Sequence, residues 1–165
     1  MPPEYWLDAN VLIESKKRWY RFDVVPGFWS FLDAQWQQGR LAAPIRVYEE
    51  LAERSDDDLA QWAKERQGTP LFVEPSQEVQ TLLREVAEYV ENTYGNTKAT
   101  RDFLDGADPW LVAYGRALGG TVITLEVGAI PGQTPKVKLP DVCEHFGVSW
   151  DSLFEMCQAL GMRLG

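Results

Sequence analysis

At 165 residues, 45% hydrophobic and 25% charged, the chain has the length and balance of one soluble domain, expected to span 1–165. Its formal net charge of −9 excludes a protein that grips nucleic acid by bulk attraction, which relies on clustered Lys and Arg. Two cysteines, Cys143 and Cys157, and a lone His145 exclude a disulfide scaffold and a four-ligand zinc site. No apolar run approaches the ~20 residues that span a bilayer, the first residues do not read as a signal peptide, and a cytoplasmic location is expected.

Tyr5-Trp6-Leu7 is large and apolar without polar alternation, which predicts a short strand buried on both faces. The run breaks at Asp8 and resumes at Val11-Leu12-Ile13. A carboxylate between apolar runs is costly unless it is paired, coordinated or at an edge that water reaches. Residues 10 to about 17 read as a helix with Lys16-Lys17-Arg18 at its C-terminal end, where the macrodipole favours cations. After Pro26-Gly27, Phe28, Phe31, Leu32 and Trp36 keep helical spacing up to Gly39. Leu41-Ala42-Ala43 reads as a short strand or a connector, and Pro44 opens a helix through Val47, Tyr48 and Leu51 to about Arg54. Ser55 and Asp58 have capping-box spacing ahead of Leu59, Trp62 and Ala63.

Leu71-Phe72-Val73 predicts another strand. Pro75-Ser76 opens a long helix whose apolar stripe is Val79, Leu82, Leu83, Val86 and Val90, stopped at Gly95-Asn96. A polar segment with Lys98 and Arg101 follows. Asp108 then reads as an N-cap and Pro109 as the first residue of a helix that runs to Leu118. Thr121-Val122-Ile123-Thr124-Leu125 is the clearest strand and ends in Glu126. Residues 127–135 read as a loop, and Val137 and Leu139, alternating with Lys136 and Lys138, as a half-exposed strand. Pro140-Asp141 opens a short helix, and Ser149 reads as the cap of a last one carrying Leu153, Phe154, Cys157 and Leu160. Strands alternating with helices imply an α/β fold, a three-layer α/β/α sandwich around a mainly parallel sheet.

In such a sheet Asp8 and Glu126 emerge at one carboxyl edge. Asp108 starts the helix that runs back from that edge to the Glu126 strand, and Glu50 flanks the apolar seam of the helix after Leu41–Ala43. Four acids from four segments then surround one cleft. Clustered carboxylates repel unless a cation sits between them, and oxygen-only ligands favour Mg²⁺ or Mn²⁺. Such ions activate water for phosphodiester hydrolysis. Three of the acids also have a plainer reading: Asp108 as a cap, Glu50 as an exposed helix acid with Glu49 its rival, and Glu126 as an ordinary strand-end residue; Asp8 is the hardest to dismiss. The basic groups, Lys16-Lys17-Arg18 with Arg21 and Lys136 with Lys138, read singly as a solvated helix end and an edge strand.

These residues resemble a family. Leu7-Asp8-Ala9-Asn10-Val11-Leu12-Ile13 is similar to the opening strand and helix of PIN domains, the fold of the VapC-type toxin ribonucleases. Val47-Tyr48-Glu49-Glu50-Leu51 resembles their second motif, Asp108 to Tyr114 the third, and Val122-Ile123-Thr124-Leu125-Glu126 the fourth. Trp19 to Trp36 and the tail from Lys138 to Cys143 look like a less characterised bacterial PIN-like branch. The resemblance implies an endoribonuclease dependent on Mg²⁺ or Mn²⁺, often a homodimer, commonly held inactive by an antitoxin protein. It makes Asp8, Glu50, Asp108 and Glu126 the catalytic acids, with Asp8, Asp108 and Glu126 as metal ligands and Asn10 and Thr124 orienting them. Glu126 is longer than the Asp usual at its position, and Asp105 is an additional acid able to share or replace a ligand. Lys16, Lys17, Arg18, Arg46 and Arg101 are the cations expected to contact RNA.

Three other readings fit parts of the sequence. One is a PIN-like domain without catalysis that only binds a partner protein. The second is a DNA-binding module, because Val142 to Leu160 has helix-turn-helix spacing, although Asp151 and Glu155 suit phosphate poorly. The third is a phosphatase, for which Asp8-Ala9-Asn10 lacks a second Asp two residues on.

Overall fold

The computed structural model describes residues 2–53, 57–128 and 136–164. The expected cap Ser55, the helix end at Arg54 and most of the loop over 127–135 lie outside the described residues. Five described strands, β1 (Tyr5–Leu7), β2 (Leu41–Pro44), β3 (Phe72–Val73), β4 (Thr121–Ile123) and β5 (Ser149–Asp151), line up in the order β3-β2-β1-β4-β5. Every neighbouring pair is parallel. Tyr5 sits opposite Leu41 on one side and Thr121 on the other, so β1 is the centre of the sheet.

Because side chains alternate along a strand, β1 feeds two cores. Leu7, with Leu41, Ala43 and Ile123, faces one; Trp6, with Ala42 and Val122, faces the other. The first is covered by α1 (Ala9–Glu14), α2 (Pro26–Gln37), α3 (Ile45–Ala52), α4 (Asp58–Glu65) and α9 (Leu153–Ala159). The second is covered by α5 (Gln77–Tyr94), α6 (Lys98–Asp105), α7 (Asp108–Leu118) and α8 (Leu139–His145). This is the three-layer α/β/α sandwich with a parallel sheet that the alternating pattern implied. No described helix is long and apolar enough to cross a membrane.

Two features lock the centre. Trp6 is fully buried, packs edge-on against Tyr114 at 5.2 Å, and its Nε1 donates to the Gly119 carbonyl at 2.8 Å. Gly120, at φ 96°, passes so close to the N-terminal segment that a Cβ there would lie 2.8 Å from the Pro3 carbonyl oxygen. The aromatic residues between Trp19 and Trp36 mostly build the first core: Phe22 stacks on Trp29 at 4.0 Å, and Trp29 meets Trp62 of α4 at 5.2 Å.

Several local expectations are overturned. The first helix closes at Glu14 and continues as a π-helical turn over Ser15–Trp19, where the Ser15 hydroxyl donates to the Val11 carbonyl at 2.6 Å. The polar segment around Lys98 and Arg101 is helix α6; Thr97 caps it by accepting from the Thr100 N–H. The cap of α4 is Asp57, which accepts from the Leu59 N–H at 2.6 Å. Residues 136–138 form no strand, and Leu139 opens α8. Ser149 begins β5, and Ser152 caps α9. That last difference removes the helix-turn-helix reading: a strand paired with β4 separates α8 and α9, which pack in different cores.

Candidate active site

The chain lays β2 and β3 on one side of β1 and β4 and β5 on the other. Open α/β sheets bind ligands in the crevice outside the carboxyl ends of the strands at such a reversal. Asp8 stands at that position, one residue past β1, with its N–H donating to the Ile123 carbonyl of β4 at 3.2 Å. The residue is 4% exposed, and its side chain accepts from the Asn10 N–H at 3.4 Å, at the start of α1. Burial pushes the Asp8 carboxyl up to about 7. The charges of Glu126 and Glu50 add to that push, and the backbone N–H groups of Asn10 and Ala9 oppose it.

Asp108 is the first residue of α7 and not its cap, which is Ala107. The task expected of Asp108 falls to Glu50 instead: its Oε1 accepts from the Ala107 N–H at 2.8 Å, satisfying a helix-terminal donor from another segment. Gly106 leaves room for this, since a Cβ there would stand 3.3 Å from the same oxygen. Asp108 has no backbone donor among the described residues. Burial raises its carboxyl well above the usual range, and the charges of Asp8, Glu126 and Glu50 raise it further. Glu50 is raised too, by burial first, against the Ala107 N–H and the nearby Arg46 guanidinium.

Glu126 is fixed at both ends. Its N–H donates to the buried Thr124 hydroxyl at 3.1 Å, and its Oε2 accepts from the Leu139 N–H at 2.8 Å, at the start of α8. Thr124 is anchored in turn by its N–H on the Asp151 carbonyl at 3.1 Å. The length of Glu126 is what lets it reach the next helix.

A family described as a domain of unknown function, DUF4411, matches residues 5–164. The chain belongs to that family. No curated protein matches the sequence. Among solved structures it is similar to FitAcB from Neisseria gonorrhoeae, at 16% identity over 88% of this chain and 95% of that one, with a TM-score of 0.48.

The structure brings Asp8 and Asp108 within electrostatic reach of each other and each of them within reach of Glu50 and Glu126. It leaves other candidates outside. Asp105 is exposed, and what it offers is its backbone carbonyl, which accepts from Arg46 at 3.0 Å. Glu49 is exposed and pairs with Arg46 at 2.8 Å, so Glu50 is the acid that faces the cleft. Asn10 is exposed and helps Asp8 through its backbone N–H. Among the cations, Lys16 pairs with Asp57 and Asp58, Arg18 with Glu14, and Arg101 bonds Asn96; Lys17 lines a separate surface pocket beside Lys16 and Arg21.

Among the described residues, no three Asp, Glu, His or Cys side chains stand close enough together to hold a metal ion between them. The donors nevertheless suit one chemically. They are all carboxylate oxygens, which favour a hard divalent cation, and Asp8, buried, and Asp108, half-buried, both have their charge opposed by neighbouring acids. Sequence reasoning missed Lys98 and Lys136, which line the cleft beside Asp108 and Glu126, because neither belongs to an acid motif. It also missed Cys143, a buried thiol pushed up to about 12 by burial and by the charges of Asp108 and Glu126.

Proposed function

We propose that this chain is a Mg²⁺- or Mn²⁺-dependent endoribonuclease. The observation that carries the reading is Asp108: a carboxylate at a helix start that caps nothing and faces three other acids from distant segments. A fold keeps such mutual repulsion at a cost, and a divalent cation is the group that relieves it. Asp8, Asp108 and Glu126 stand too far apart here to form a closed three-ligand set, so their carboxylates would have to draw together to hold the ion, Glu126 through the oxygen that does not bond Leu139. A cation there supplies positive charge for a phosphate oxygen and lowers the pKa of attacking water. Glu50, held by the Ala107 N–H and raised by burial, is positioned to take the proton that water gives up. Thr124 keeps the Glu126 backbone in register with Asp8.

The RNA substrate, a homodimeric state and an antitoxin partner come to this reading from the resemblance to PIN-domain ribonucleases. Asp8→Asn and Asp108→Asn are expected to abolish Mn²⁺-dependent cleavage of RNA while far-ultraviolet circular dichroism stays that of the wild type. Equal cleavage by all three proteins would assign the activity to a contaminant and sink the proposal. A domain that only binds a protein partner would show no cleavage and no rise of melting temperature with Mn²⁺.

A further inference from the structure

The acids form only one wall of the cleft they share. Asp108 and Glu126 open into a cavity of about 480 Å³, within the range of roughly 300–1,000 Å³ typical of small-ligand sites. Phe103, 5% exposed, closes part of its lining. Two ammonium groups belong to the same cavity: Lys98 at the start of α6, and Lys136 ahead of α8. The chain carries a net charge of −9, and a polyanion approaching these carboxylates meets repulsion that only local cations relieve.

Both lysines are available for that task. Lys98 pairs with Asp102 at 2.8 Å, but the two side chains are 83% and 61% exposed. So exposed a pair is weak enough for a phosphate to displace the carboxylate. Lys136 is exposed and forms no ion pair among the described residues. It stands three residues before Leu139, whose N–H holds Glu126, so its backbone is tied to the acid side of the cleft. Lys16, Arg18 and Arg46 do not line this cavity.

We infer that Lys98 and Lys136 are the phosphate-binding residues of this cleft, holding one RNA strand by the backbone phosphates beside Asp108 and Glu126. The inference rests on the ribonuclease reading for the identity of the strand, and its test separates the two. Lysine acts as a point charge without base readout, so the contact is indifferent to sequence.

The test has a binding arm and a turnover arm. In the Asp8→Asn background, anisotropy of a labelled single-stranded oligoribonucleotide is followed across a salt series. Lys98→Ala and Lys136→Ala are each expected to weaken binding several-fold. Each should also reduce the slope of log affinity against log salt by about 0.7, the share of one phosphate contact on a single strand. Arg at either position retains the slope, and Lys64→Ala on α4, in the opposite layer, leaves it unchanged. In the active protein the same Ala variants raise KM and leave kcat within about twofold. A Lys98→Ala/Lys136→Ala double variant with wild-type slope and KM overturns the inference. Wild-type protein that binds the strand with the expected slope yet never cleaves it overturns the nuclease reading and leaves the phosphate site standing.

Discussion

Asp8→Asn tests the electrostatics of the site without relying on activity. In metal-free protein the folded-state carboxyl is raised from 3.8 to about 7, so between those values the folded chain holds a proton that the unfolded chain has released. Stability therefore falls as pH rises through that window, and the whole penalty is present above about pH 7. At about 1.4 kcal/mol per pKa unit, the ceiling on this penalty is roughly 4 kcal/mol. Asn has nearly the same shape, keeps an oxygen for the Asn10 N–H, and carries no charge. The assay is thermal melting in EDTA at pH 5 and pH 8, repeated with Mn²⁺. Wild type should melt lower at pH 8 than at pH 5, by about 2–4 °C for each kcal/mol. The variant should show a smaller difference and melt above wild type at pH 8. Mn²⁺ should raise the wild-type melting temperature at pH 8 and do little for the variant. A wild type equally stable at both pH values in EDTA, with a variant that melts lower, would refute the idea that a strained carboxylate occupies this position.

Glu50→Ala removes the acceptor of the Ala107 N–H and should cost about 1–2 kcal/mol in urea denaturation, whereas Glu50→Gln keeps the acceptor and should lose cleavage with little change in stability. Gly120→Ala places a methyl against the Pro3 carbonyl at a backbone angle that side chains rarely adopt, and should destabilise by about 1–3 kcal/mol; a wild-type melting temperature would contradict the close approach. Cys143 and Cys157 are buried and pushed up to about 12 and about 11, so neither should react with a thiol reagent at pH 8 until denaturant is added, as mass spectrometry of the labelled protein would show.

The apolar strands were legible because burial on both faces leaves no polar alternation: Tyr5–Leu7 and Thr121–Ile123 needed nothing beyond their own side chains to announce a parallel sheet. Asp8 was legible for the complementary reason, as a charge set between two apolar runs. Shorter elements were not. Ser149-Trp150-Asp151 is polar and exposed at both ends, and only pairing with β4 makes it a strand. Lys98–Asp105 reads as polar chain until Thr97 caps it and Phe103 finds the second core.

What the amino-acid order settled alone was the layered architecture, and it also singled out the four acids as candidates, because periodicity and isolated charge are properties of neighbours along the chain. What the tertiary structure decided was how those acids are held. Glu50 holds the N–H of Ala107, a residue 57 positions away, and so frees Asp108 from capping. Glu126 spans from the end of one strand to the first turn of a later helix. The lysines lining the cleft with Asp108 and Glu126 come from segments on either side of them in the chain, and three of the cations that looked best in sequence, Lys16, Arg18 and Arg46, pair with other carboxylates. Hydrogen bonds and ion pairs are satisfied through space, so which charges remain available for a ligand is fixed only when distant segments meet.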